Sequence, residues 1–465
     1  MRRGKKSREY GSEGILREIL SYKTGIISVC ILSFLVLLSL YTLITIPYSE
    51  AVRLWRGSED MWIKNPRNAP PEWIEIFYGK KLPRTILLSS TEDEDVVKVT
   101  TPNKIQITYG FNYEYDDFPS EIIIFFNASY NVLPSVNITW VKPDGESFLL
   151  YDAYMLRSPN DKLYLSNDLD LETELTKILI QKYGSFDFSL TIERLLFMSY
   201  DNRKTPTVIK GPYQLILEVD HSSSSDDLDA EIVIYGRVYG LAGTDHLRRP
   251  IIIAIMWGTP VALAFGLAAS LMITLTQIII ATISGWYGGK VDSLLQRVTE
   301  VYMILPFLPI LMMVSILYSI DLLTLLIVIV ILSVFGPGVK STRVMVMQIK
   351  SYPYVEAARV YGASNMRIIF LYIIPKILPT VIPSLISSVP EFVFLEAALS
   401  FLGLGDPRIP TWGKIINDAF SNGALYKGYY YWVLVPSFML ILTALAFSFL
   451  GFTLDKIVNP RLKEQ

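Results

Sequence analysis

An α-helical integral membrane protein of six spans with an inserted extracytoplasmic β-sandwich is the fold the sequence predicts. Three observations carry that expectation. Of 465 residues, 51% are hydrophobic and the mean hydropathy is positive, a composition outside the range of a purely soluble chain. Uncharged runs at 25–46, 251–289, 301–320, 322–339 and 428–454 are each long enough, or nearly so, to cross a hydrocarbon core of about 30 Å, and 377–404 makes a sixth despite two glutamates. Between the first two runs lie some 200 residues of alternating β-branched and aromatic texture.

Taken in order, residues 1–24 read as a cytoplasmic tail whose basic MRRGKK precedes the first span at 25–46. That run has no small-residue cleavage site near its end, so it reads as a retained anchor. Residues 47–80 form an extracytoplasmic linker and 81–240 the inserted domain. Within it, KIQITYGF from Lys104, EIIIFFNASY from Glu121, VNITW from Val136 and SFLLYDAYM from Ser147 alternate as strands do. Lys142-Pro143-Asp144-Gly145 has the residues of a tight turn. GPYQLILEV from Gly211 and EIVIYGRVY from Glu231 flank a serine-rich loop and are expected to pair as a hairpin, and 171–183 reads as an amphipathic helix. An antiparallel sandwich, immunoglobulin-like in general plan, fits this pattern.

Residues 241–465 hold the remaining spans. The run after Ile251 is expected to be one long helix broken by Gly285, Gly288 and Gly289. With six spans and both termini inside, Lys290, Arg297, Lys340, Arg343, Lys350, Arg359, Arg367, Lys376, Lys456, Arg461 and Lys463 share the cytoplasmic side, and Arg248 and Arg249 are the main exceptions. The formal net charge of −2 conceals a split: 81–240 carries 25 acidic and 14 basic residues, the rest 19 and 28. Cations that follow membrane topology argue against a nucleic-acid partner. Tyr41, Tyr48, Trp55, Trp62, Trp257, Trp286, Trp412, Tyr429, Tyr430, Tyr431 and Trp432 fall near span ends, as interfacial belts do. Cys30 is the only cysteine, and His221 and His246 have no ligand spacing, so neither a disulfide nor a metal site is expected.

The segment 356–375, EAARVYGASNMRIIFLYIIP, carries the functional signal. Pro353 suits a first helical turn, Ala357 and Ala358 are small enough for close approach, Gly362 suits a left-handed cap, and Ser364 can cap a second short helix that ends before Pro375. This string resembles the cytoplasmic coupling loop of permease subunits in ATP-binding-cassette importers, with Glu356, Ala357, Ala358, Gly362 and Pro375 at the family spacing. Tyr372 stands where that motif prefers isoleucine. Further blocks resemble the dipeptide and oligopeptide permeases. These are Asn65-Pro66 and Pro70-Pro71-Glu72-Trp73, then Gly243-Thr244-Asp245, a cytoplasmic turn at 285–306, a signature at 396–416 that includes Ser400, Phe401, Leu402, Gly403, Trp412 and Gly413, and a closing segment at 449–462. The resemblance covers 1–80 and 241–465. In that family the proline segment and GTD lie close together; here a soluble domain is inserted between them.

The resemblance implies a type I importer permease fold, with a coupling loop at 350–376 in which Glu356 and Arg359 meet an ATPase. It also implies a second, homologous permease, two ATPase subunits and an external binding protein. The chain has no G-x-x-x-x-G-K-[ST] loop, because Gly288-Gly289-Lys290 is followed by valine. ATP and magnesium are therefore expected in partner subunits, with no catalytic residue, cofactor or metal here. Glu391 and Glu396 are costly toward lipid and are candidate pathway residues, each with a structural alternative as a bonding partner of another helix. Asn127-Ala-Ser and Asn137-Ile-Thr are acceptor patterns for N-glycosylation. Peptide import is the expected function. Oligosaccharide import is the alternative within the family, and a membrane-anchored adhesion or sensing protein the alternative outside it.

Overall fold

The computed structural model describes residues 12–458 except 92, 94, 131–132, 201–203, 221–225, 319–320 and 407. The basic MRRGKK flank, His221, the serine run at 222–225, Arg461 and Lys463 lie outside those residues. The chain forms two compact units, one of residues up to Arg56 together with those from Ile253 onward, the other Gly57–Ile252. The linker expected at 47–80 is thereby divided, its first part helical and in the membrane unit, the remainder belonging with the strands.

The membrane unit opens with α1 (Ser12–Ile19), α2 (Lys23–Thr45) and α3 (Tyr48–Arg56). Gly25 allows the sharp entry into α2, since a Cβ there would sit 2.1 Å from the Ile19 carbonyl oxygen.

The second unit contains a short α4 (Glu75–Tyr78), then β1 (Ile86–Ser89), β2 (Val96–Thr100), β3 (Lys104–Tyr113), β4 (Glu121–Ser129), β5 (Ser135–Val141), β6 (Ser147–Met155) and β7 (Lys162–Tyr164). Helices α5 (Leu169–Tyr183) and α6 (Ile192–Phe197) precede β8 (Gly211–Asp220) and β9 (Asp227–Tyr235). All pairings are antiparallel, in one sheet ordered β1-β9-β4-β7 and another ordered β2-β3-β8-β5-β6. Alternation sets the inner faces: Ile105, Ile107 and Tyr109 of β3 meet Ile122, Ile124 and Phe126 of β4 in one core with Trp140 and Phe197. Asp168 caps α5 by accepting from the amides of Asp170 and Leu171, and Leu171, Leu175 and Leu179 bury its inner stripe. The turn at 142–145 forms, with Gly145 at φ +85° and its amide donating to the Lys142 carbonyl.

One expected pairing is corrected. β8 and β9 do not form a hairpin; β8 lies between β3 and β5, and β9 between β1 and β4, in opposite sheets. Both strands are apolar on their core faces, so the polar link is equally served by a crossing from sheet to sheet, which alternation alone does not distinguish from a turn.

The membrane unit resumes with α7 (Ile251–Tyr287), whose 37 residues extend about 55 Å. Gly288 and Gly289, at φ +67° and +53°, end it, whereas Gly285 lies inside the helix against Val346. The third and fourth apolar runs are not single helices. α8 (Gly289–Ile304) and α9 (Phe307–Leu317) meet at 75°, and α10 (Leu322–Ser333) and α11 (Pro337–Lys350) at 52°. Pro306 holds Leu305 extended at ψ 133°, and Gly336-Pro337 restarts the helix, so each break has a proline cause. After α12 (Pro353–Val360) and α13 (Asn365–Ile368), a π segment at 369–373 leads into α14 (Ile374–Phe401), followed by α15 (Trp412–Ser421) and α16 (Tyr431–Val458). Among the described residues four helical stretches are long and apolar enough to cross a membrane, or up to six if each bent pair is one span.

The aromatic belt is also corrected in part. Trp55, Trp257, Trp286, Trp412, Tyr431 and Trp432 are buried, and two of the indoles are fixed to backbone: Trp257 donates to the Ile46 carbonyl and Trp412 to that of Ile255. Tyr41, Tyr48 and Tyr430 are exposed, as belt residues are.

Candidate functional site: coupling loop, cavity and motif clamp

The segment expected to be a coupling loop is a helix, turn and helix built on a buried stripe. Val355 and Ala358 of α12, with Ile368, Ile369 and Ile373, pack against Ile278 and Trp286 of α7 and Val346 and Ile349 of α11. That stripe turns Glu356, Ala357 and Arg359 outward. The Glu356 carboxylate has no ion pair within the described residues, while Arg359 lies over the Trp286 ring at 5.1 Å. Gly362 adopts φ +81° and closes the turn, its amide donating to the Arg359 carbonyl. Ser364 caps α13 by accepting from the Arg367 amide at 3.4 Å. The second helix does not end before Pro375. It continues through the π segment into α14, because the wider turn accommodates a proline that cannot donate. Tyr372, the departure from the motif, packs beside Tyr354 with ring centroids 6.4 Å apart.

Beneath this loop an ion pair ties α8 to α11. Arg343 donates to both oxygens of Asp292 at 2.6 and 2.5 Å, and Ser284 adds a third bond. Lys350 donates to the Trp286 carbonyl at 2.6 Å. Sequence reading counted Arg343 and Lys350 only as topology markers. Their partners lie more than fifty residues away, beyond any local pattern.

A cavity of about 810 Å³ opens among α7, α8, α9, α10, α11 and α14, its polar lining including Thr274, Gln277, Ser341, Ser384, Ser388 and Glu391. Glu391 is exposed to it, with no hydrogen bond or ion pair among the described residues. Glu396, one and a half turns on, is not in the lining. It is 2% exposed and accepts from Ser400 at 2.7 Å and from Thr411. Thr411 also caps α15. Trp412 seals this corner, lying so close to Gly258 that a Cβ there would meet the indole at 2.3 Å, and Gly413 abuts the Ala397 backbone as closely. Gly403 takes φ +79° to turn the chain after Ser400, Phe401 and Leu402. The signature thus assembles as a packed corner, with Glu396 as its hydrogen-bonded centre.

The GTD residues clamp the second unit shut. Thr244 donates to the Pro66 carbonyl at 2.6 Å and accepts from the Ala69 amide at 3.0 Å. Gly243 is at φ +78°, and its carbonyl receives the Ile251 amide. Asp245 accepts from the Leu247 and Arg249 amides and from Arg249 Nε at 2.6 Å. Arg248 is buried at 2% exposure, donating to Glu59 at 3.1 Å, to the Asn65 carbonyl at 2.8 Å and to Glu121 of β4 at 2.5 Å. Burial pushes the Glu59 carboxyl up, but the bonds from Arg67 and Arg248 outweigh it and hold the group below the ordinary carboxylate range. The proline segment and the GTD loop, some 175 residues apart, are therefore adjacent again, and both arginines that broke the charge rule are internally paired.

Of the sequon residues, Asn127 is exposed on β4, whereas the side-chain Oδ1 of Asn137 accepts from the Ala153 amide at 2.8 Å where β5 and β6 slip register. No group of three or more metal-ligating side chains occurs among the described residues.

Comparison with known proteins follows the same division. Residues 277–464 match the family described as the binding-protein-dependent transport system inner membrane component. The dipeptide transport system permease protein DppC of Bacillus subtilis (strain 168) is 32% identical over 222 residues, 48% of this chain and 68% of that protein. The oligopeptide permease OppC of Haemophilus influenzae is 30% identical over 48% of this chain and 71% of its own length, and the glutathione permease GsiD of Pectobacterium atrosepticum 28% over 48% and 72%. These matches lead to one conclusion: the chain belongs to the family of binding-protein-dependent transport system inner membrane components and is a multi-pass plasma-membrane permease of an importer, not a catalytic subunit.

Proposed function

We propose that this permease forms one half of a translocation pathway for di- or oligopeptides, paired with a homologous second permease. Two ATPase subunits that bind ATP and magnesium dock on the α12 turn through Glu356 and Arg359, and an external binding protein delivers the solute. In this reading each bent helix pair is one span, giving six. Both termini face the cytoplasm, and the unit Gly57–Ile252 faces outward. The names of the relatives above support peptides as the solute class.

The observation that carries the pathway reading is Glu391, a carboxylate with no hydrogen bond or ion pair among the described residues, on a cavity of about 810 Å³. A charge left unpaired within a membrane segment is costly unless it faces water or a ligand, and a peptide's free amine is the complementary ligand. ATP-driven closure of the docked subunits moves α12, and the helices attached to it carry the cavity from outward to inward access.

The test is Glu391→Gln in the assembled complex, which keeps size and hydrogen-bonding capacity and removes the charge. Peptide uptake falls while the melting temperature is unchanged. Normal uptake with a lowered melting temperature would reassign Glu391 to a structural role.

A further inference from the structure

The second unit displays one concentrated apolar surface. Trp73, Ile76, Phe77, Tyr78 and Leu241 are 44, 81, 79, 63 and 75% exposed. Elsewhere in that unit exposed apolar side chains are scattered over strand faces, α5 and the turn at Met61, which needs no explanation. Here they are held together. Trp73 and Phe77 meet edge to face at 6.2 Å, and the Trp73 indole donates to the Leu241 carbonyl at 2.9 Å.

The platform beneath is fixed by backbone. Glu72 exchanges bonds with Gly240 through its amide and its carboxylate, and the Tyr239 amide donates to Pro70. The acidic side chains nearest the patch are engaged: Glu72 pairs with Arg84, and Glu75 accepts from the Leu82 amide. Lys80 and Lys81 follow the patch and are exposed. Aromatic and aliphatic side chains bordered by lysines are what a headgroup boundary receives.

Position decides the occupant. The Gly243 carbonyl accepts from the amide of Ile251, the first residue of α7. Leu241 is two residues before Gly243, at most about 7 Å of chain. The patch is thus tethered beside the point where the chain enters hydrocarbon.

We propose that Trp73, Ile76, Phe77, Tyr78 and Leu241 form a bilayer-docking surface that seats the second unit on the outer headgroup–acyl boundary. The proposal rests on the reading of α7 as a membrane span.

The test uses the full chain with Cys30→Ser and a single new cysteine, Phe77→Cys, carrying a polarity-sensitive fluorophore. The protein is reconstituted in phosphatidylcholine–phosphatidylglycerol vesicles. Brominated phosphatidylcholine should quench this label several-fold more than one at Val97→Cys on the β2 face, and iodide several-fold less. Equal iodide access at both positions without lipid quenching would overturn the proposal. So would shielding that appears only when the binding protein or second permease is added, which marks a protein-docking surface. A Leu267→Cys label in α7 reports the premise separately: if brominated lipid fails to quench it, the membrane reading of α7 fails and the proposal with it. Ile76→Ser with Tyr78→Ser, at exposed positions that leave the fold intact, should return the Phe77→Cys label to iodide; unchanged shielding would count against the patch.

Discussion

Both units pair charges inside the fold, the membrane unit through Arg343 with Asp292 and through the Glu396 bonds to Ser400 and Thr411, but they differ in what they leave over. The β unit takes charges inside and satisfies them there: Arg248 is enclosed by Glu59, Glu121 and the Asn65 carbonyl, Arg249 by Asp245, and Lys142 by the Met198 carbonyl and the Tyr200 ring. The membrane unit leaves its two most exposed acidic candidates, Glu356 and Glu391, without an ion pair among the described residues. Within the membrane unit itself the same residue type is buried and bonded at Glu396 and open to a cavity at Glu391, and burial together with partner count separates the two.

That contrast is most severely tested at Arg248. Arg248→Ala leaves two glutamates facing a vacated site, and breaking a buried pair costs about 3–5 kcal/mol, so the β unit should melt at markedly lower temperature. Calorimetry of the full permease resolves this if the membrane unit's transition is unmoved; a small shift would mean that the clamp is not what closes the unit. Glu356→Lys should do the reverse. Folding and insertion are retained while substrate-stimulated ATP hydrolysis and uptake fall by more than about tenfold, equivalent to about 1.4 kcal/mol of docking energy. Gly362→Val should act likewise, since valine is penalised at the observed φ of +81°. Transport at the normal rate in reconstituted vesicles would remove Glu356 from the dock.

Fragments sharpen the boundary. Residues 57–252 expressed alone should be a folded, mainly β protein, and 81–240 should be less stable because it lacks the 65–71 and 243–249 segments that bond to each other. Equal melting temperatures by circular dichroism would deny the clamp a stabilising role. The smallest effect concerns pH. Burial, opposed by Asp144 and Glu146, holds the Lys142 ammonium below the usual lysine range. The folded state then binds fewer protons than the unfolded one between the two values, so stability should rise with pH up to the unfolded value of about 10.5. Lys142→Met should abolish that alkaline rise; a slope unchanged in the variant would assign it to other groups.

Local pattern was enough for much of this. Alternation located β3, β4, β5, β6 and β8, a Pro-Asp-Gly turn located the β5–β6 connection, and Pro353, Gly362 and Ser364 marked the boundaries of the coupling helices. What escaped was non-local. Whether β8 paired with β9 depended on which sheet each joined, a choice fixed by β3, β5, β1 and β4. The bends at Pro306 and Gly336 sit inside apolar runs whose hydropathy is unbroken, and the π segment before Pro375 has no residue signature of its own. Arg248 looked like an exception to a charge rule because its partners, Glu59 and Glu121, become visible only when the chain folds back, whereas Arg249 pairs with Asp245 four residues before it. In the site, the residue types of Glu391 and Glu396 are identical, and only the cavity and the Ser400 and Thr411 bonds distinguish them.

The reunion of Pro66 and Ala69 with Thr244 has an evolutionary consequence. A module whose entry and exit are stapled side by side presents its host with the geometry of a short loop, whatever the size of the module itself. Junctions whose entry and exit lie close together are where domain insertions are tolerated. The β-sandwich leaves and rejoins the chain at such a junction, so its size is not felt as a longer span between Ala69 and Gly243.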